Sequence, residues 1–474
     1  MGELKEKTLS GVKWSAIGRF STQGISFIIG VFLARLLSPS DYGVIGMIGL
    51  FMAIAQTFTD SGFGSALIRK KDCTDTDYST AFYFNIIVGI ICYMILFLSA
   101  PLIADFFNTP ILKDIVRVLG INLCLSSLTI VQSARLTAAV DFKSQAKVNL
   151  AGTIISGCVG LTMAYNGYGV WSLVYQSIVS SLVRTILLWF ATKWVPQWTF
   201  SKQSFKYLFG FGSKILSASI LHTIYSNLST ILIGKFYTPK DLGFYSRGEN
   251  IARFPSSNLT SILQSVTYPI LSGIQDDNDR LITAYRKYIR ITSMAIFFGM
   301  CLLAALAEPL ITTIFTEKWL NSVIFLQIFC FALMFDHLCQ LNLNILYVKG
   351  RSDLVLHLEI IKKTISISMI IAAIPFGVLA ICISCAIYTQ IAVFINTYYT
   401  GKLFGLGYIT QVKDFSKYLI CSLIATLPAF LLSYTLLHPI VVIITGGIIA
   451  VLIYCTLLYK DENFIEAIKL FKKR

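Results

Sequence analysis

The residues of this chain that could do chemistry are charged side chains inside long apolar stretches. Ionised groups are costly in the hydrocarbon core of a membrane, so each is a candidate for pairing with an anion or lining a polar path. The acids Glu249 and Asp336 are the candidates for ion coupling through a proton or a sodium ion. The basic residues in such stretches are Arg19, Arg184, Lys214, Arg247, Arg253, Lys362 and Lys363.

Polar residues in the first apolar stretch share one helical face. Ser15, Arg19, Thr22, Gln23 and Ser26 recur three or four residues apart, which places them together on a helix. A polar stripe is expected to face the protein interior or water, because lipid cannot satisfy it. We therefore predict that Arg19 and Gln23 line a cavity. The alternative for Arg19 is that its long side chain reaches the headgroups.

The most polar stretch, near residue 250, holds four candidates. Arg247 and Asn250 are predicted to line the same cavity. Glu249 and Arg253 stand four residues apart, in the order that favours an ion pair on a helix. Arg253 therefore either binds the substrate or only neutralises Glu249. Pro255 predicts a kink, because its ring clashes with the carbonyl four residues earlier.

The remaining charged residues have less specific settings. Lys214, near one end of its stretch, is expected either to contact an anionic substrate or to reach the headgroups. Asp336 lies near mid-span, and the alternative to ion coupling is an ion pair with a basic residue of the cavity. Pairing with each other or with headgroups is the prediction for Arg184, Glu359, Lys362 and Lys363.

The composition requires an integral membrane protein. Of the 474 residues, 55% are hydrophobic and 13% are charged, about half the charged share of soluble domains. Mean hydropathy is +0.72. The net charge of +15 does not indicate nucleic-acid binding, because basic connections are expected to face anionic headgroups. The cysteines and the absence of a GxxxxGK[ST] loop predict no metal site, no cofactor and no ATP hydrolysis.

Hydropathy predicts an all-α protein of about fourteen transmembrane helices, since about 20 apolar residues cross a bilayer. With both termini in the cytoplasm, cytoplasmic connections carry about two-thirds of the 39 Lys and Arg residues, as the positive-inside rule requires. The apolar runs are 12–36, 42–68, 79–104, 112–134, 147–166, 169–192, 207–234, 242–271, 287–309, 322–348, 354–375, 378–400, 415–436 and 438–459.

An internal repeat predicts two lobes. The segment LARLLSPSDYG at 33–43 aligns with LIGKFYTPKDLG at 232–243. Parallel repeats of this kind are related by an axis along the membrane normal, so we expect two six-helix lobes around a central cavity. The predicted organisation is a first lobe at 1–195, a cytoplasmic linker at 196–206, a second lobe at 207–404, and two further helices with a cytoplasmic tail at 405–474.

The residues also carry a family resemblance that covers essentially the whole chain. GVKWSAIGRFSTQGISFIIGVFLARLLSPSDYGVIGM at 11–47 and YPILSGIQDDNDRLITAYRK at 268–287 resemble the polysaccharide transporter family. These are Wzx-type flippases of the multidrug/oligosaccharidyl-lipid/polysaccharide (MOP) exporter superfamily, here closest to the colanic-acid-exporter branch. The resemblance implies a MATE-like fold and export of an undecaprenyl-diphosphate-linked oligosaccharide across the bacterial inner membrane.

On this hypothesis Arg19 and Arg247 pair with the diphosphate, Gln23 and Asn250 meet sugar hydroxyls, and Asp336 senses an ion. Membrane lipids and a polysaccharide polymerase are the partners implied. The alternatives are a drug or cation exporter of the same superfamily, a peptidoglycan-precursor flippase and, more remotely, a membrane polysaccharide polymerase or ligase. An enzyme of that kind usually needs a large outer loop or an acidic pair outside the membrane, and the chain has neither.

Overall fold

A computed structural model describes residues 2–466, with backbone only for residues 2–10, 12, 259 and 261–266. Every regular element in this range is a helix, which confirms the all-α prediction. The helices divide by their packing into two units, Met1–Gly243 and Phe244–Arg474. Residues 467–474, the end of the predicted cytoplasmic tail, lie outside the described residues.

The first unit contains ten complete helices. They are α1 (Gly2–Leu36), α2 (Pro39–Asp60), α3 (Phe63–Arg69), α4 (Asp75–Phe106), α5 (Leu112–Leu119), α6 (Ile121–Ser127), α7 (Ile130–Ala138), α8 (Phe142–Tyr165), α9 (Trp171–Thr192) and α10 (Lys202–Phe236). Short breaks divide two of the predicted spans, which become α2–α3 and α5–α7.

Helix α11 (Pro239–Gly273) begins in the first unit and continues into the second. The other helices of the second unit are α12 (Asn278–Ala305), α13 (Ala307–Phe315), α14 (Ser322–Leu333), α15 (Asp336–Val348), α16 (Ser352–Ala373), α17 (Val378–Phe404), α18 (Tyr408–Leu432) and α19 (Pro439–Leu457). Two 3₁₀ turns, Glu317–Trp319 and Ile374–Phe376, join neighbouring helices.

Twelve helical segments among the described residues are long and apolar enough to cross a membrane, against the fourteen predicted. The difference lies in α11 and α16. Both have spanning length, with 35 and 22 residues. Both carry charged side chains within that length, which include Arg253 on α11 and Lys362 on α16.

The boundary between the two units follows Gly243, 37 residues beyond the end of the predicted linker at 196–206, because α10 packs with the first unit. Thr57 on α2 and Thr223 on α10 approach to 3.3 Å through their hydroxyl oxygens. Gly62 and Gly212 allow close backbone contact, since a Cβ at Gly62 would lie 2.6 Å from the Gly212 carbonyl oxygen. The predicted linker is itself held on α4, where the Gln197 N–H donates to the Ser79 hydroxyl at 2.9 Å.

Both copies of the repeated motif are helix starts with the same cap. The Ser38 hydroxyl donates to Asp41 Oδ2 at 2.6 Å, and Asp41 N–H returns a bond to the Ser38 oxygen at 3.3 Å. Thr238 and Asp241 repeat this exchange at 2.6 and 3.2 Å. Each pair is a capping box, which satisfies the free N–H groups of a first helical turn. The prolines at 39 and 239 take the first helical position, where their missing N–H costs little.

The glycines of the repeat serve a long-range contact. A Cβ at Gly43 would lie 1.6 Å from the Pro239 carbonyl oxygen, and a Cβ at Gly243 would lie 1.9 Å from that of Pro39. The two helix starts therefore cross backbone to backbone in a reciprocal way that excludes any side chain. The motif is thus a local cap and also a packing site.

Candidate functional site

The first unit contains an open cavity of about 760 Å³, here called the hydroxyl cavity. It is formed by α2, α3, α6, α7, α9 and α10 together with the turns that join them. Ten of its 21 lining residues are serine or threonine. They are Thr57, Ser65, Ser126, Thr129, Ser133, Thr137, Ser177, Ser181, Thr185 and Ser219.

Local hydrogen bonds orient the hydroxyls of this cavity. Thr57, Thr137 and Thr185 donate to the backbone carbonyls four residues earlier, at 2.7, 2.9 and 2.8 Å. A hydroxyl that gives its proton to the helix still has oxygen lone pairs that accept hydrogen bonds. The wall therefore presents acceptors suited to a ligand rich in hydroxyl donors, such as a sugar.

Two amides bridge the helices around the cavity. Asn122 on α6 donates through Nδ2 to the Ser177 hydroxyl on α9 at 3.0 Å. Gln56 on α2 accepts from the Ser126 hydroxyl at 3.1 Å. The Oδ1 atom of Asn122 is buried and has no partner among the described residues. This oxygen adds an acceptor to the hydroxyl wall.

The hydroxyl cavity contains one acid and one base. Asp60 Oδ1 accepts from Gln56 Nε2 at 2.9 Å. Arg184 lines the same cavity from α9, and the described residues include no ion pair for either charge. The formal charge of the lining is therefore zero.

Arg19 and Gln23 lie together in a second, smaller cleft of the first unit. This cleft of about 330 Å³ lies between α1 and α8, and Gln145 and Asn149 complete its polar wall. The side-chain oxygens Gln23 Oε1 and Thr22 Oγ1 are buried without a hydrogen-bond partner among the described residues. The structure therefore brings these two predicted residues together, with polar atoms that a ligand could satisfy.

In the second unit five charged residues on three helices include two ion pairs, each within one helix. Glu249 pairs with Arg253 on α11, and Lys362 pairs with Glu359 on α16 at 2.5 Å. Asp336, at the start of α15, lies within electrostatic reach of both Arg253 and Lys362. The Lys362 side chain is only 7% exposed. We call these five residues the charge cluster.

Other predicted site residues have different surroundings. Arg247 stacks on Phe315 and Trp319, with its guanidinium carbon 5.0 and 4.7 Å from the ring centroids. Asn250 is exposed. Lys214 on α10 is also exposed and does not line the hydroxyl cavity. Lys214, which belongs to the same unit as Arg19, is also not among the residues that line the Arg19 cleft.

The hydroxyl cavity itself was not predicted, although the sequence contains a signal for it. Ser177, Ser181, Arg184 and Thr185 recur at helical spacing on α9, just as the polar stripe does on α1. The prediction for Arg184 is that it pairs with another charged residue or with the headgroups. Its face-mates are small hydroxyl residues, which carry no charge and attract less notice.

Known proteins resemble this chain along most of its length. A family model described as "Polysaccharide biosynthesis protein" matches residues 32–324. The teichuronic acid biosynthesis protein TuaB of Bacillus subtilis is 25% identical, covering 75% of this chain and 74% of its own. The lipopolysaccharide biosynthesis protein WzxC of Escherichia coli is 26% identical, and the match covers 78% of this chain and 75% of WzxC.

Solved structures show the same fold. The lipid II flippase MurJ, in an inward closed conformation, superposes with a TM-score of 0.75 at 15% identity over 94% of this chain and 98% of that chain. An inward-facing multidrug resistance MATE family transporter of the MOP superfamily superposes with a TM-score of 0.61 at 14% identity. The superposition covers 81% of this chain and 94% of that chain. With more than half of its length matched by the family model, this multi-pass membrane protein belongs to the polysaccharide biosynthesis protein family and has the fold of the MOP superfamily.

Proposed function

We propose that the chain is a flippase that moves an undecaprenyl-diphosphate-linked oligosaccharide across the bacterial inner membrane by alternating access. The observation that carries the proposal is the hydroxyl cavity. It offers hydroxyl and amide groups within a bundle of membrane-spanning helices, which suits a glycan that must leave water. The relatives TuaB and WzxC are named for polysaccharide biosynthesis, and MurJ is named as a flippase.

On this proposal, the first unit would bind the two polar parts of such a substrate in separate places. The Arg19 cleft combines a cation with unpaired amide and hydroxyl oxygens, which suits a diphosphate and the sugar attached to it. The hydroxyl cavity has the capacity and the acceptors for further sugars. The lipid tail would stay in the bilayer, so no polar site need accommodate it.

The charge cluster of the second unit is the proposed ion-coupling site. Its three acids, Glu249, Asp336 and Glu359, outnumber its two bases, Arg253 and Lys362. A proton or a sodium ion would neutralise the excess acid. We propose Asp336 as the group that binds it, because Glu249 and Glu359 already have close partners. Both termini would lie in the cytoplasm, as the distribution of Lys and Arg indicates.

The hydroxyl cavity argues against export of drugs or cations as the main activity. A site for organic cations is expected to present acids or aromatic faces. Asp60 is the single acid of the hydroxyl cavity, Arg184 opposes it, and no aromatic residue belongs to the lining. A peptidoglycan-precursor flippase would use the same fold, so the assay must include that substrate.

The test is transport in proteoliposomes. A fluorescent undecaprenyl-diphosphate oligosaccharide is placed in one leaflet, and its arrival in the other is measured with and without a proton or sodium gradient. Lipid II and a cationic dye are assayed in parallel. We expect protein-dependent movement of the oligosaccharide lipid and a clear loss in Arg19→Gln. Movement of the dye or of lipid II alone would contradict the proposal.

A matched variant separates the Arg19 cleft from general charge effects. Arg117→Gln removes a cation of the same unit that stacks on Phe97, 4.5 Å from the ring centroid, and belongs to neither cavity. Its transport rate should stay near that of the wild type. If both arginine variants lose activity equally, the effect is one of net charge, and Arg19 has no specific role.

A further inference from the structure

We propose that the exported glycan contains an acidic sugar and that Arg184 binds its carboxylate in the hydroxyl cavity. This inference rests on the proposed function and specifies its substrate class. The starting observation is that Arg184 is the only base among the 21 lining residues. The described residues offer it no ion pair, so it is a cation whose partner would come from the ligand.

Arg184 is exposed to the open cavity, and packing fixes the position of its stem. Its aliphatic stem lies across Gly152 on α8, where a Cβ would come within 2.9 Å of Arg184 Cγ. Any larger residue at 152 would push the stem away. Arg184 is also two turns before the end of α9 at Thr192, about 12 Å along the helix axis, and so is set back from the nearer membrane surface.

The surroundings of Arg184 favour a carboxylate over a diphosphate. The other lining groups around it are mostly hydroxyls, which match the ring hydroxyls of the sugar that bears the carboxylate. A guanidinium binds a planar carboxylate through two parallel hydrogen bonds. A diphosphate carries more negative charge and would face Asp60 in the same cavity, with one cation to balance it.

An uncompensated cation inside a membrane protein has an energetic cost that a ligand can relieve. Charged groups in such positions are rare and usually face a cavity or a partner. A hydrogen bond to an ionised group contributes more than one between neutral groups. Arg184 would therefore discriminate an acidic sugar from its neutral counterpart at one position of the glycan.

The experiment compares two fluorescent undecaprenyl-diphosphate disaccharides that differ in one group. One carries glucuronic acid, and the other carries glucose, in which CH₂OH replaces the carboxylate. In proteoliposomes at subsaturating substrate, the wild type should move the acidic form about 10- to 100-fold faster, the range expected for a charged hydrogen-bonded pair. Arg184→Gln should lower only the rate of the acidic form, by a similar factor.

Two further variants keep the test independent of folding defects. Gly152→Ala retains every charge but displaces the arginine stem, so it should also reduce the preference for the acidic form. Arg184→Lys should give an intermediate preference, because lysine keeps the charge and loses the two-pronged geometry. Arg117→Gln, outside the cavity, should keep the wild-type preference. Size-exclusion chromatography confirms that each variant is folded.

Three results would overturn the inference. Equal movement of both disaccharides by the wild type would show that no acidic sugar is recognised, while the flippase proposal would stand. Equal loss for both substrates in Arg184→Gln would assign Arg184 to the shared diphosphate. Movement of neither substrate by the wild type would overturn the proposed function, and this inference with it.

Discussion

The two copies of the repeated helix start are alike, whereas the two units differ in the polar groups that they contain. The capping boxes at Ser38 and Thr238 are alike, and the glycines at 43 and 243 pack on each other's prolines. The interior of the first unit is lined by neutral hydroxyls, whereas the second contains the charge cluster. The contact between the two copies of the motif needs both copies and is kept, whereas the polar residues inside the two units have diverged.

The difference follows from the cost of each kind of polar group. A hydroxyl bonded to its own helix is already satisfied, so many can line a cavity without a fixed partner. A charge needs a counter-charge close by, because breaking a buried pair leaves an uncompensated ion. We therefore expect substitutions in the charge cluster to change stability and those in the hydroxyl cavity to change transport.

The largest effect is expected at Lys362. Lys362→Met would leave Glu359 and Asp336 without this cation. We expect this change to lower the free energy of unfolding by about 3 kcal/mol. This is the low end for buried pairs because the Glu359 side chain is 34% exposed. Thermal unfolding in detergent measures the change. Lys362→Met with Glu359→Gln should recover much of the loss, and no recovery would mean that the pair is not the cause.

The repeated glycines should give the next largest effect, and an equal one in both copies. Gly43→Ala and Gly243→Ala would each force a methyl group against a backbone carbonyl. Each change should lower the free energy of unfolding by about 2 kcal/mol. Gly49→Ala is the matched control on α2, because a Cβ there meets nothing within 4 Å. That change should be neutral or stabilising by up to about 1 kcal/mol. Unequal effects at 43 and 243 would contradict a reciprocal contact.

Asn122 tests the expectation that substitutions in the hydroxyl cavity change transport. Asn122→Ala removes an amide that donates to Ser177 and whose Oδ1 is an acceptor without a protein partner. We expect the concentration of lipid-linked glycan at half-maximal transport to rise about threefold to tenfold, the loss of one neutral hydrogen bond. The unfolding midpoint should change little. A large fall in stability with unchanged transport would reverse the contrast between the units.

The smallest expected effect is a pH-dependent change in stability at Asp461, which follows α19. Burial alone would raise the pKa of Asp461, but hydrogen bonds from Lys417 Nζ at 2.7 Å and the Phe464 N–H at 3.1 Å outweigh it, so this pKa lies below the usual 3.8. A group whose pKa is lower in the folded state stabilises that state at pH values above the pKa of the unfolded chain. This stabilisation is lost as the pH falls through the pKa of the folded state.

The unfolding midpoint of Asp461→Asn should therefore lie below that of the wild type by a constant amount between about pH 5 and pH 7, and the gap should close below about pH 4. A gap that does not change at low pH would mean that the carboxylate charge is not its source. The same pH series on Lys417→Met checks the assignment, since that variant removes the principal partner.

The candidate site was only partly predictable. The polar face of α1 identified Arg19 and Gln23, because their spacing is a property of one helix. The pairing of Glu249 with Arg253 was foreseen for the same reason. The stacking of Arg247 on Phe315 and Trp319 was not, since those rings lie about 70 positions away and no local pattern joins them.

The amino-acid sequence alone determined that the chain is a helical membrane protein and that both copies of its repeated motif begin helices alike, and it predicts that the basic connections lie in the cytoplasm. These follow from hydropathy, local capping and charge distribution, which act over one helix at a time. Tertiary structure alone decided that hydroxyls from six helices line one open cavity together with Arg184, and that α10 packs with the first unit. Small hydroxyl residues are inconspicuous singly, and only packing makes them a site.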